Sequence, residues 1–252
     1  MARILGVGIA TLDIINTVAR YPAEDDEVRA QAQRLARGGN CTNTLVVLSQ
    51  LGHRCAWAGN LVDEPDAGHI RADLEGYGVD LSPTRLISTG KVPTSYVTLS
   101  ADNGSRTIVH YRDLPDYGFD DFAQVRLERF DWLHFEGRAV AETRRMLERA
   151  LALQPEIPRS VEVEKPREGI EALYPYASLL LFSRVFARHQ GFKEPRAFLE
   201  SMAGQAPQAD LVCGWGSEGA YALSRAGEHH HSPAFPPPRL GVLGFGHGSA
   251  PP

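Results

Sequence analysis

Three observations place this chain in the α/β class. Short apolar runs of strand length recur along it, stretches with apolar residues at helical spacing lie between them, and the alternation continues to about residue 213. Such alternation predicts a parallel sheet covered by helices. With 252 residues the chain fits one large domain, because single cores extend to roughly 250–300 residues.

Taken in order, Ile4 to Ile9 is an apolar run ending near Gly8 and predicts a first buried strand. Thr42 to Leu51 follows as a helix, Ala56 to Leu61 as a strand and Ala67 to Tyr77 as a helix. Trp132 to Phe135 is the next buried strand, followed by a helix over Ala141 to Leu153. Ser160 to Val163, Ser178 to Phe182 and Asp210 to Cys213 are further strands, with a helix over Arg196 to Ala203. Two regions break the pattern. Glu27 to Leu35 alternates like a strand, and Ser95 to Leu99, the Asn103-Gly104 turn and Thr107 to Tyr111 read as a hairpin. These strands are expected to form a separate small sheet, a lid over the site whose exposed edge also suits dimerisation.

Composition narrows the partners. Lys and Arg number 26 against 31 Asp and Glu, a net charge of -5, so no basic field points to nucleic acid or to an anionic membrane surface. Cys41, Cys55 and Cys213 have no CxxC spacing and lie in or beside apolar runs, which predicts reduced, buried thiols in a cytoplasmic protein. The N-terminal apolar run is interrupted by Asp13 and lacks an A-x-A pattern, so a soluble, unprocessed chain is expected.

The segment Arg37-Gly38-Gly39-Asn40-Cys41-Thr42-Asn43 runs directly into a helical pattern. Two glycines permit close backbone approach to a ligand, Asn40 is placed to cap the helix, and Asn40 and Asn43 fall on one side of its first turn. Amides both donate and accept, as a polyhydroxyl ligand requires. An ordinary Gly-Gly turn before a capped helix would use the same residues. In open α/β sheets, ligands bind at the carboxyl ends of strands. Asp13 follows the first strand, Glu136-Gly137-Arg138 follows another, Glu162, Glu164 and Lys165 end a third, and Gly214 to Gly219 follows a fourth. Polar groups therefore converge on one rim, although each alone has an ordinary structural use as cap, solvated pair or packing. The run His229-His230-His231 reads as surface, since neighbouring residues on a strand face opposite ways.

The segments GVGIATLDIINTVARYPAEDDEVRA, RGGNCTN, NGSRTIVHY, LHFEGR, SVEVEKPRE, VCGWGSEGA and HSPAFPPPR, in that order, resemble the ribokinase-like (PfkB) carbohydrate kinases, and within them the animal fructokinases, from about residue 5 to 240. The resemblance implies a single ribokinase-like domain: a three-layer α/β sandwich with a small β-sheet lid, its strands from about 14–37 and 90–112, that clasps a partner in a homodimer. It implies transfer of the ATP γ-phosphoryl group to the 1-hydroxyl of D-fructose or a related ketose, with Mg2+ required and K+ a further candidate. By position, Asp13, Gly39, Asn40 and Asn43 would bind the sugar. Arg106 would reach ATP phosphate, Gly216, Ser217, Glu218 and Gly219 would form the nucleotide loop, and Pro236 to Pro238 a rigid edge near adenine.

One segment departs from the family. A Gly-Ala-Gly-Asp element, whose amides stabilise the transferred phosphoryl group and whose aspartate acts as base, corresponds here to Leu243-Gly244-Phe245-Gly246-His247. Gly244 and Gly246 remain as a remnant of the anion hole, but Phe245 replaces a small residue and His247 stands at the base position, so no catalytic base is assigned. The sequence then reads Gly248-Ser249-Ala250-Pro251-Pro252, and the expectation is that the C-terminal part is truncated, the family's later helices are absent and turnover is impaired. Two other readings stay open: a non-catalytic sugar-binding or dimer-forming protein, and a ribokinase-like kinase for another sugar or a nucleoside.

Overall fold

A computed structural model describes residues 1–235 of the chain. In chain order the elements are β1 (Arg3–Val7), β2 (Thr11–Val18), β3 (Ala32–Gly38), α1 (Asn40–Gln50), β4 (Arg54–Ala58), β5 (Asn60–Val62), α2 (Pro65–Gly76), β6 (Arg85–Ile87), β7 (Lys91–Ser100) and β8 (Arg106–Asp113). They continue with α3 (Phe119–Phe122), β9 (Trp132–Glu136), α4 (Val140–Leu153), β10 (Arg159–Val163), β11 (Leu179–Ser183), α5 (Arg184–His189), α6 (Pro195–Ala203), β12 (Asp210–Gly214), β13 (Ala220–Leu223) and β14 (His229–Ser232).

The apolar runs become the main sheet, ordered β14-β13-β12-β11-β10-β9-β1-β4. It is parallel from β12 to β4, and β13 and β14 add an antiparallel edge. Helices cover both faces, which is why β1, β4 and β9 are apolar almost throughout. One core holds Phe122, Phe135, Phe182, Phe186 and Phe198, and the other holds Leu45, Trp57, Ile70 and Leu74. β1 pairs with β4 on one side and β9 on the other (Leu5 opposite Ala56 and Leu133). Strand order therefore reverses at β1 and β9, the place where an open sheet leaves a crevice at its carboxyl edge.

The departures from alternation form a second, four-stranded sheet, β3-β2-β7-β8. Its outer strand β8 is exposed along nearly its whole length, and Ile108, Val109 and Tyr111 there are exposed apolar side chains. Its limits differ from the sequence expectation: β2 begins at Thr11, and the expected strand over 27–35 forms only from Ala32, leaving 19–31 without strand structure. The expected strand Ala56 to Leu61 also divides. Gly59 lies against the Trp57 ring, the chain turns away there, and β5 pairs instead with β6. Among the described residues no helix is long and apolar enough to cross a membrane. Pro236 to Pro238, Gly244, Gly246 and His247 lie outside the described residues.

Phe198 centres an aromatic cluster, with ring centroids 5.1 Å from Phe182, 5.6 Å from Phe192 and 6.1 Å from Phe186. Phe198→Ala is expected to destabilise the fold by roughly 3–5 kcal/mol in urea unfolding. Phe235→Ala, at a side chain 83% exposed, should stay within about 0.5 kcal/mol of the parent.

Candidate active site

The chain leaves β1 through Gly8 and Ile9 and enters the lid at Thr11. A Cβ on Gly8 would lie 2.5 Å from both Cys41 Cβ and Glu136 Oε2, so only glycine lets β1 end between the start of α1 and the end of β9. Ile9 N donates to Glu136 Oε2 at 3.0 Å, which ties the two strand ends together. Asp13 follows on β2, where its Oδ1 accepts from Thr11 Oγ1 at 3.0 Å. Its Oδ2 lies 2.5 Å from where a Cβ of Gly38 would stand. Asp13 and the Gly-Gly segment are therefore neighbours across β2 and β3.

α1 starts differently from the sequence expectation. Gly39, at φ 106°, is its N-cap, and Asn40 is the first helical residue, with no side-chain cap bond. A side chain at Gly39 would strike the Ile9 carbonyl, so neither a capping asparagine nor any other L-residue fits this position. The Asn40 side chain instead stands near enough to Glu162 to favour its ionised form. The Asn43 carbonyl oxygen accepts from Arg37 Nη1 at 2.8 Å, leaving its NH2 group for solvent or ligand. The two amides therefore stand in different surroundings, Asn43 against Arg37 and Asn40 towards Glu162.

Glu136 is buried at the end of β9 and Glu162 lies opposite it on β10. Gly137 permits this closeness: its N donates to the Glu162 carbonyl at 2.8 Å, and a Cβ there would lie 2.5 Å from that oxygen. Arg138 reaches Glu136 at 3.6 Å and Asp116 at 3.7 Å, and Ala139 begins α4 from a left-handed conformation at φ 40°. From the lid, Ser95 Oγ lies 3.3 Å from His110 Nδ1. Burial, then Arg138 and Arg112, holds the His110 imidazole below its ordinary pKa.

Burial dominates the titration of this rim. Burial, then Glu136 and Glu164, pushes Glu162 up to about 7, with the Asn40 side chain opposing the rise. Glu136 is raised by burial, while the Ile9 N–H and Arg138 oppose the rise. Burial pushes the Cys41 thiol well above its ordinary value, so it stays neutral. It lowers His134 to about 4.

Farther along the edge, Gly214-Trp215-Gly216-Ser217-Glu218-Gly219 joins β12 to β13, with Gly216 at φ 69° and Gly219 at φ 94°. A Cβ on Gly216 would stand 3.3 Å from Arg184 Nη1, so the guanidinium at the start of α5 lies directly against this loop.

The sequence profile of the pfkB family carbohydrate kinases matches residues 1–239. The chain belongs to the pfkB family of carbohydrate kinases. It is 43% identical over 253 aligned positions to mouse ketohexokinase, covering 97% of this chain and 85% of the mouse protein. A ribose-1-phosphate kinase of Halopiger xanaduensis, described as ATP-dependent, is 26% identical over 134 positions, 53% of this chain and 45% of its own length. Among solved structures, a ribokinase described as putative from Agrobacterium tumefaciens superposes with a TM-score of 0.80 at 22% identity, over 93% of this chain and 77% of that one. Arabidopsis thaliana ribokinase, solved with ribose and ATP, superposes at 0.73 and 15% identity, over 93% and 78%. These likenesses show a ribokinase-like fold.

In this pfkB kinase the structure brings Asp13, Gly39, Asn40 and Asn43 to one place, at the reversal of strand order. Gly216 to Gly219 lie on the same edge of the sheet, past the end of β12, three strands from β9 in the direction of β14. Arg106 is at the outer end of the lid, four register positions from His110, a span of about 13 Å along the strand. His229, His230 and His231 are exposed on edge strand β14, where His231 stacks on Tyr221 and His229 lies 3.3 Å from Glu200. Among the described residues no group of three or more His, Cys, Asp or Glu is placed to hold a metal ion. A Mg2+ ion carried on nucleotide phosphates needs only one or two protein carboxylates, a smaller requirement than such a group.

Arg37 and Arg184 were not picked out by sequence reasoning. Arg37 stands in the sequence only as the first residue of the Gly-Gly segment, with no role of its own, and the contact of Arg184 with Gly216 joins segments far apart in sequence.

The raised pKa of Glu162 makes a stability prediction. Its folded value of about 7 lies above the ordinary 4.5, so folding takes up a proton between those values and stability falls as pH rises through the window. Glu162→Gln removes that loss. In urea unfolding from about pH 5 to about pH 8, the variant's advantage over the parent should grow by at most about 1.4 kcal/mol per pH unit and level off above the folded pKa. His134, whose folded value lies below its ordinary 6.5, has the opposite slope and contributes equally to both proteins.

Proposed function

We propose that this chain is a ketohexokinase-type sugar kinase whose substrates are ATP and D-fructose and whose acceptor is the 1-hydroxyl of the sugar. The observation that carries this reading is the 43% identity to mouse ketohexokinase over 97% of the chain. The grouping of Asp13, Gly39, Asn40 and Asn43 at the sheet's switch point supports it. An ionised carboxylate accepts from sugar hydroxyls, the Asn43 NH2 group donates, and the glycine backbone allows close approach. On this reading Arg106 and the Gly216, Ser217, Glu218 and Gly219 loop form the nucleotide half. ATP use also fits the fold, since relatives of this architecture have been solved with ADP or ATP. Mg2+, and K+ where required, would enter with the nucleotide, and the cytoplasm is the proposed location.

Because His247 stands where the resemblance places the catalytic aspartate, binding and turnover are measured separately. Calorimetry is expected to show D-fructose binding, and Asp13→Asn should weaken it by roughly 10–100-fold, the loss of a charge-assisted hydrogen bond. ADP formation with fructose above the ATP-only background completes the assignment. Binding without turnover would favour a non-catalytic sugar-binding protein, and preferential phosphorylation of ribose or adenosine would overturn the fructose assignment.

The exposed apolar strand β8 supports a homodimer closed lid to lid. Sedimentation should then show a dimer, and Val109→Lys, at a side chain 65% exposed, should shift it to monomer without lowering the unfolding midpoint.

A further inference from the structure

The amino edge of the main sheet, opposite the rim that carries Asp13 and Glu136, holds two clefts of about 370 Å3 and about 530 Å3 that meet at Arg129 and Phe130. Arg3 and Arg54 begin β1 and β4 there, Phe130 precedes β9, and roughly 13 Å of β1 separates this edge from the carboxyl rim. Five arginines line the pair of clefts, Arg3, Arg54, Arg85, Arg126 and Arg129, against two carboxylates, Asp80 and Asp121. In a chain of net charge -5 this is a local concentration of positive charge.

Both carboxylates are occupied, and three of the guanidinium groups are not. Asp80 accepts from the Ser82 N–H at 2.8 Å and from Ser82 Oγ at 2.9 Å, and Asp121 Oδ2 lies 2.9 Å from Arg85 Nη1. Arg3 is held by Asp131, Nη2 to Oδ1 at 2.6 Å. Among the described residues the side chains of Arg54, Arg126 and Arg129 have no hydrogen bond or ion pair. The chain fixes where the last two start: Arg129 N donates to the Arg126 carbonyl at 3.2 Å in a single 3-10 turn, which sets both side chains on one side of it. Leu127 and Phe130, both buried, anchor that turn to the core.

We propose that these clefts form a binding site for a phosphate ester, separate from the sugar and nucleotide residues of the opposite rim. A guanidinium fork meets phosphate oxygens with parallel N–H donors, and three unpaired forks favour a doubly charged anion over a carboxylate. Arg129, which lines both clefts, holds the phosphate, with Arg126 beside it in one and Arg54 in the other. Each cleft falls within the range of about 300–1,000 Å3 that small-molecule sites occupy, so room remains next to the phosphate for an organic group. Pro83 and Phe130 offer that group apolar contact, and the Gln124 amide both donates and accepts. Asp80 and Asp121, already engaged with Ser82 and Arg85, brace the walls.

The test uses the full chain labelled with 15N and three probes at constant ionic strength: inorganic phosphate, fructose 1-phosphate and AMP. At least one ester should shift the backbone amides of residues 84–85 and 126–130 with a dissociation constant of about 1 mM or tighter, and inorganic phosphate should bind there about tenfold more weakly. Arg129→Ala should weaken the ester about tenfold, and Arg129→Lys by less, since the charge remains without the fork. The Arg129 side chain is exposed, so the unfolding midpoint of either variant should match that of the parent. A tighter sugar phosphate or a tighter nucleotide each supports the proposal and names the organic group. Amides that stay still with all three probes, or an ester bound equally well by Arg129→Ala, overturn it. Shifts confined to residues 37–43 and 214–219, at the opposite rim, overturn it as well. Inorganic phosphate bound as tightly as both esters does the same, leaving a patch for small anions. Should Arg129→Ala fail to fold, an ester affinity unchanged in both Arg126→Ala and Arg54→Ala overturns the proposal equally.

Discussion

A fully buried guanidinium ties the lid to the body of this kinase. Arg37 is the penultimate residue of lid strand β3, and its Nε contacts Asp73 Oδ2 of α2 at 2.5 Å while its Nη1 donates to Thr42 and Asn43 of α1. Each charge alone would be badly placed. A cation beside the N-terminus of α1 opposes that helix dipole, and a carboxylate in the last turn of α2 opposes the other. Together they neutralise, and removing Asp73 would leave the buried guanidinium uncompensated, a loss of about 3–5 kcal/mol, whereas removing Arg37 would leave a partly exposed carboxylate and cost less. The pairing therefore fixes three elements at once. Gly38, Gly39 and the two asparagines take their positions from it.

From that anchor the carboxyl edge of the sheet is assembled by close backbone approach. Gly8 and Gly137 stand where any side chain would enter occupied space, and because they do not, Glu136 receives the Ile9 N–H and Glu162 sits directly beside it. Two carboxyl groups on neighbouring parallel strands, one buried and one half-buried at the carboxyl rim of the sheet, are costly for stability. Sites of this kind are held by the rest of the fold, and here the two aromatic and aliphatic cores on either side of the sheet provide that support.

Much of this architecture was legible in the sequence because it depends on local pattern. β1, β9, β10, β11 and β12 are apolar runs in a doubly covered parallel sheet, and α1, α2, α4 and α6 carry apolar residues at helical spacing. Their limits moved by no more than two residues, and the larger departures came in other elements, where glycine or a lid crossover intervened, as at Gly59 and Thr11. The placement of Asp13 and the Gly-Gly segment at one rim was also readable, from the rule that strand ends make the site. What was hidden is set by register. Nothing local shows that Glu136 and Glu162 are cross-strand neighbours or that Arg37 turns inward. Asn40 was expected to cap the helix, but the cap position falls one residue earlier, where the Ile9 carbonyl excludes any side chain.

The residues proposed to bind sugar belong to both sheets, and this has a mechanical consequence. Asp13 lies on β2, paired through Ser95 of β7 to His110 of β8, whereas Asn40 and Asn43 belong to a helix packed on the main sheet. A ligand held by all three must bridge lid and body. Arg37 fixes that geometry at the β3 side of the lid, but the opposite margin ends at β8, an exposed strand with apolar side chains. Covering β8 would remove apolar surface from water and limit the twisting freedom of the strands that carry His110, Ser95 and Asp13. A subunit clasped there would reach Asp13 through only two strand pairings, β8–β7 and β7–β2, so on the proposed reading association and sugar affinity would be coupled by the lid's own hydrogen-bond ladder.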